Sequence, residues 1–231
     1  GEGFAVASHR YVRLYDANQL SNILVINSSA NDVDWSPNGE TLALAKENGT
    51  VELRDARSDG NLIARLEGRT EGSSEGVYSV AWSPDGKRLA SASGDLFIRE
   101  VPSGNLLASI ERKDTFNLEG VAAVDWSPNS DLLALMSDYP IYIWDMVGGE
   151  RREALPLGDS RVFSTIVFSA DGGMLAAGAV NNGVKVWNVG TREILFEGDV
   201  YWVDSAAFSP NGRLLATGSR DGTILLWDTS S

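Results

Sequence analysis

The stretch that decides the fold is Val77-Tyr78-Ser79-Val80-Ala81-Trp82-Ser83-Pro84-Asp85-Gly86-Lys87-Arg88-Leu89-Ala90-Ser91-Ala92-Ser93. Residues 77–82 form a short run ending in an aromatic, which reads as a strand. Pro84 presets φ for the second position of a turn, and Asp85-Gly86 supplies residues that tolerate positive φ. The small-residue run 89–93 then returns as a second strand, so the whole segment is a hairpin.

The same signal recurs along the chain: WSPNG at 35–39, WSPDG at 82–86, WSPNS at 126–130, FSADG at 168–172 and FSPNG at 208–212. Aromatic to aromatic, the spacings are 47, 44, 42 and 40 residues. That is the period of a four-stranded propeller blade, about 40–45 residues. Two copies depart from the pattern, with Ser130 in place of Gly and Ala170 in place of Pro, and their turns are expected to be slightly less rigid. The insertion Gly68–Glu75 accounts for the longest spacing, and its Gly, Ser and Glu content reads as an exposed mobile spacer.

A third strand follows each hairpin and ends in an aromatic plus an acid or amide. The clear cases are Ile141-Tyr142-Ile143-Trp144-Asp145, Val184-Lys185-Val186-Trp187-Asn188 and Ile224-Leu225-Leu226-Trp227-Asp228. Weaker ones end at Asp16, Asp55 and Glu100-Val101. A more polar fourth strand, such as Leu62–Leu66 or Glu193–Glu197, suits the outer edge of a sheet. In this order and at this period the chain resembles the WD-repeat (WD40) family over about residues 4–229. The resemblance implies an all-β fold, a WD40-type β-propeller of four-stranded antiparallel blades. We count about six blades and 22 strands, with the first and last blades incomplete. The alternative is a segment of a seven-bladed ring. Residues 1–231 are read as one propeller domain, or as part of one in a longer chain.

The family's Gly-His pair before each first strand is missing. Its places hold Ala30-Asn31, Glu75-Gly76, Glu119-Gly120, Ser160-Arg161 and Tyr201-Trp202, and His9 is the only histidine. The family's Asp-His-Ser-Trp network therefore has no histidine, and Trp144, Trp187 and Trp227 are expected to be held by packing.

Composition narrows the function. With no cysteine there is no disulfide, thiolate nucleophile or thiolate metal site. His9, placed in the turn between a second and a third strand, leaves little basis for a Ser-His-Asp arrangement. No calcium-loop, Walker or dinucleotide motif is present, so the reading is not an enzyme, with no catalytic residue, no metal and no cofactor. A net charge of −13, from 32 acidic and 19 basic residues, argues against a nucleic-acid partner. It favours a protein or peptide of basic character. No apolar run is long enough for a membrane helix and no signal peptide is visible, so a cytoplasmic location is the default expectation.

In WD-repeat propellers the ring of loops at the channel mouth is a frequent partner surface, and the resemblance implies one here. First-strand entries place Asn31, Tyr78, Ala122, Ser164 and Asp204 there. The second-to-third turns add His9, Glu47, Asp95, Asp138, Asn181 and Arg220. Tyr201-Trp202 has the composition of an interaction hot spot, against the plainer possibility that Trp202 packs on a neighbouring blade; Arg161, one blade earlier, is a cation for it. The expected partner-binding set is Asn31, Tyr78, Arg161, Asn181, Tyr201, Trp202, Asp204 and Arg220. Two rival readings stand beside it: a small-ligand or carboxylate-based enzyme site at the central channel, and an architectural segment covered by the rest of a longer chain.

Overall fold

Strands that are apolar on both faces must be covered from both sides, and stacking sheet on sheet does this. A computed structural model describes residues 3–8, 10–19, 21–68, 76–110, 121–137, 141–151, 155–156, 163–180 and 183–229. Among them are 22 strands in six antiparallel sheets and no helix. The sheets contain three, four, four, four, four and three strands in chain order. The expected count of 22, with the two end sheets one strand short, is what the structure contains. The chain divides into two compact units, residues 1–116 and 117–231.

The first unit has three sheets. The first is β1 (Gly3–Ala7), β2 (Val12–Asp16) and β3 (Asn22–Ile26). The second is β4 (Asp32–Trp35), β5 (Thr41–Ala45), β6 (Thr50–Asp55) and β7 (Leu62–Glu67). The third is β8 (Ser79–Trp82), β9 (Arg88–Ser93), β10 (Asp95–Glu100) and β11 (Leu106–Ile110). Alternation along β5 divides its side chains between two cores. Leu42 and Leu44 pack with Val12, Leu14 and Ile26 of the first sheet. Ala43 and Ala45 share a core with Val77, Val80 and Leu89 beside the third.

The second unit repeats the arrangement. Its sheets are β12 (Val121–Trp126), β13 (Leu132–Ser137), β14 (Ile141–Asp145) and β15 (Glu150–Arg151); β16 (Phe163–Phe168), β17 (Met174–Ala179), β18 (Val184–Asn188) and β19 (Ile194–Gly198); and β20 (Val203–Phe208), β21 (Leu214–Ser219) and β22 (Ile224–Asp228). Ala134, Met136, Ile141 and Ile143 pack with Ile166, Phe168 and Leu175. Val184, Val186 and Ala176 pack with Leu215, Phe208 and Trp227. Small residues in the second strands set the spacing: at Gly178 an added Cβ would overlap the buried Val203 side chain of the next sheet.

The recurrent Ser of the turn motif is a hydrogen-bond hub. Ser36, Ser83, Ser127, Ser169 and Ser209 each donate from the hydroxyl to the Asn or Asp two residues on, at 2.5–2.7 Å. Each hydroxyl also accepts the backbone N–H five residues on, at 2.8–2.9 Å. Ser130 takes φ 63°, beside 69–72° for the glycines of the other four copies, and makes the same turn bond to Ser127 O at 2.8 Å. The acid or amide closing each third strand has a comparable role: Asp16, Asp145 and Asn188 each accept two backbone N–H groups of the following turn at 2.8–3.0 Å.

The expectation that the third-strand tryptophans rely on packing needs correction for two of them. Trp187, fully buried, donates from Nε1 to the Pro156 carbonyl at 2.8 Å, and Trp227 donates to Thr217 Oγ1 at 2.9 Å. An indole N–H taken out of water requires an acceptor, and a carbonyl or hydroxyl serves where the family's serine–histidine chain is missing.

Candidate functional site

First-strand entry is one of the places where the backbone departs from a regular ladder. In the second unit β12, β16 and β20 each carry a bulge there, between Val121 and Ala123, Phe163 and Thr165, and Val203 and Ser205. The residues left unpaired are Ala122, Ser164 and Asp204, three of the entry positions aligned from sequence. A bulge frees one side chain from the pleat and re-aims it.

Four of the expected binding residues come together around Asp204. Tyr201 and Trp202 meet edge-on, with ring centroids 6.1 Å apart. Arg220 lies over the Trp202 ring, its Cζ 3.9 Å from the centroid, and its Nε is 3.8 Å from Asp204 Oδ2. The sequence reading offered Arg161 as the cation beside Trp202; the cation found there is Arg220, and Arg161 and Asn181 lie outside the described residues, as do His9 and Asp138.

Backbone contacts hold the cluster. Trp202 N–H donates to the Val180 carbonyl at 3.1 Å, and Arg220 N–H to the Trp202 carbonyl at 3.0 Å. The Ser219 hydroxyl donates to the Tyr201 carbonyl. Trp202 takes φ 49°, a left-handed conformation costly for a bulky residue and sustained here by its surroundings. Tyr201 is 63% exposed and Trp202 half-buried. Trp202 thus both packs and presents a surface.

In the first unit, the Asn31 side-chain amide donates to the Val77 carbonyl at 2.9 Å, beside exposed Tyr78. Asn31 and Tyr78 are therefore neighbours, but part of the Asn31 side chain is committed to joining the second sheet to the third. Near them Lys46 reaches Ser28 Oγ at 2.7 Å and the Ser29 carbonyl. Glu52, buried, binds Arg54 at 2.7 Å and Arg65 at 3.2 Å. Burial pushes the Glu52 carboxyl up, but Arg54, Lys46 and Arg65 outweigh it and hold it below the ordinary value. Burial lowers Lys46, partly offset by Glu52.

Sequence reasoning missed a set of first-strand carboxylates. Asp32 accepts Val33 N–H at 2.8 Å and, in the next sheet, Val80 N–H at 3.0 Å. Asp34 accepts Trp35 N–H at 2.8 Å and Trp82 N–H at 2.7 Å. In the second unit Asp125 does the same with Trp126 at 2.9 Å and Phe168 at 2.7 Å. Each clamps one sheet to the next. Burial raises Asp32, and burial together with the Asp32 charge carries Asp34 to about 6 against the pull of its backbone donors. The signal was present in the sequence as Asp-Val-Asp-Trp and Val-Asp-Trp, acids alternating into an otherwise apolar first strand.

Comparison with known proteins agrees with this architecture. A family model described as "WD domain, G-beta repeat" matches residues 60–99, 158–188 and 191–228. A transcriptional corepressor of Arabidopsis thaliana, LEUNIG_HOMOLOG, is 27% identical over 181 residues, covering 78% of this chain and 22% of that protein. WD repeat-containing protein 1 of Mus musculus is 37% identical over 65 residues, 28% of this chain and 10% of that protein. A chain in a crystal structure of the mitotic checkpoint complex superposes with TM-score 0.81 at 23% identity, covering 99% of this chain and 71% of that one. The fold class is the β-propeller, built here from about six blades. The chain carries WD40 repeats at the three matched stretches. It spans about a fifth of the length of its corepressor relative.

Proposed function

We propose that the chain is a non-catalytic platform that binds a protein or peptide on its first-strand entry loops, with Tyr201, Trp202, Asp204 and Arg220 as the principal contact. The observation that carries this is an aromatic pair, Tyr201 exposed and Trp202 half-buried, held with a cation by two backbone hydrogen bonds and one from the Ser219 hydroxyl. Ordered aromatic and arginine side chains are what interaction hot spots are made of, because little conformational entropy remains to be lost on binding. Asn31 and Tyr78 form a second contact in the first unit, and Arg161 and Asn181 complete the set.

Residues 1–231 act as one propeller domain in this reading. The net charge of −13 favours partners of basic character by long-range steering, and a nucleic-acid partner is disfavoured on the same ground. A cytoplasmic location accords with the lack of cysteine. No helix of the described residues is long and apolar enough to cross a membrane. The relatives point the same way, one bearing the name of a corepressor and another belonging to a checkpoint complex.

The test is affinity capture with the wild type and with Trp202→Ala and Tyr201→Ala, each checked for native near-ultraviolet circular dichroism. Proteins captured by the wild type and lost from both folded variants support the assignment. An unchanged set of captured proteins refutes it.

A further inference from the structure

Resting on that reading of Tyr201 and Trp202 as a contact surface, we infer that the cluster reads an acidic side chain: Arg220 takes a carboxylate from the partner while an apolar neighbour of that residue lies on Tyr201. Net charge alone suggests the reverse, a purely basic ligand, so the argument is local.

A guanidinium stacked on an indole uses its face for the ring and keeps its N–H groups in the plane, turned outward. Among the described residues the Arg220 guanidinium donates no hydrogen bond. Its nearest acid, Asp204, is 3.8 Å from Nε, an ion pair beyond hydrogen-bonding reach. The one ion pair it makes among the described residues is through Nε, and the side chain is 60% exposed. Two parallel N–H donors at the Nη edge match the two oxygens of a carboxylate. Arg220 also shuts out the opposite ligand, since it covers a face of Trp202 that an ammonium group would need and its charge repels one. Tyr201, in edge contact with Trp202 and largely exposed, supplies apolar area beside the fork.

The −13 charge acts at longer range, and salt screens it beyond about 8–10 Å. The ligand that satisfies both scales is a neutral or basic segment carrying one Asp or Glu next to an aliphatic or aromatic residue. Asp204 reinforces the choice of a single negative charge, because a dianion beside it meets stronger repulsion.

The experiment is selection of random dodecapeptides displayed on phage against the whole chain and against Arg220→Gln. The expected wild-type pool is enriched in Asp or Glu adjacent to a large apolar residue, and the Arg220→Gln pool is not. The best synthetic peptide should lose at least about tenfold in affinity for the wild type when its acid becomes the amide, and less than about twofold for Arg220→Gln. Arg220→Lys should not restore binding, since it keeps the charge but loses the planar fork. Peptides that depend on Trp202 but show no acidic enrichment overturn this inference and leave the contact surface standing. A phosphoserine in place of the acid that binds more than tenfold tighter overturns the carboxylate assignment. Absence of any Trp202-dependent peptide removes the contact surface and this inference together.

Discussion

Asp34 offers the sharpest test of how the first unit is held together. Its carboxylate joins the second sheet to the third by accepting Trp35 and Trp82 N–H groups, and burial raises it from the usual 3.8 to about 6. A carboxyl raised on folding binds its proton more tightly in the folded state. Its contribution is therefore fully present below the unfolded value near 4 and is lost as pH rises through about 6. The span from 3.8 to about 6 corresponds to about 3 kcal/mol of folding free energy. Asp34→Asn keeps one acceptor oxygen and cannot ionise. The wild type should therefore lose about 3 kcal/mol relative to Asp34→Asn between pH 4 and pH 7, with Asp32 coupled to the same transition. Asp34→Ala strands both buried donors and should be about 2–4 kcal/mol less stable than Asp34→Asn at all pH values, since neither variant ionises. Urea unfolding followed by tryptophan fluorescence at several pH values measures each difference, and groups common to both chains cancel. A wild-type–minus–Asn difference that stays flat, or that grows in favour of the wild type as pH rises, would show that the carboxylate is not a desolvated clamp.

Gly178→Ala should destabilise by about 1–3 kcal/mol, because its methyl group meets buried Val203, and Val203→Ala should recover most of that loss in a double-mutant cycle by thermal unfolding. Ser83→Ala removes a fully buried hub that donates to Asp85 and accepts Arg88 N–H; we expect a loss of about 2 kcal/mol by urea titration, against a few tenths for a surface serine such as Ser103. Glu52→Gln leaves Arg54 and Lys46 facing one another without their counter-charge. Because the folded state lowers the Glu52 carboxyl, the stability it contributes is present above pH 4.5 and is lost as pH falls from there through the lowered folded value; the variant should therefore be about 3 kcal/mol weaker at pH 7, a gap that shrinks progressively in acid below pH 4.5.

Much of the architecture was legible in the chain because each copy of the motif is a local device. Pro and Gly fix a turn, and Ser with Asn or Asp closes it with bonds spanning at most five residues. The role of Ser83 and its four counterparts was open to inference from their recurrence alone, yet only the turn residues were assigned a reason. The site was legible in part. Tyr201-Trp202 stood out by composition, but the partner of Trp202 was assigned to Arg161 by position in the previous repeat. The ring meets Arg220, on the loop joining β21 to β22 of its own sheet, because a left-handed Trp202 backbone is bonded to that loop, while Arg161 lies outside the described residues. The clamps from Asp32 and Asp34 were missed since their partners are 48 residues away, one sheet further on.

The amino-acid sequence by itself determined the repeat, the hairpins, the number of strands and which strands are apolar on both faces, since these follow from turn chemistry and patterning within some forty residues. The tertiary structure alone decided which acids are buried and which side chains meet. Those outcomes depend on the approach of one sheet to the next, where desolvation and geometry favour one contact among many of equal sequence merit.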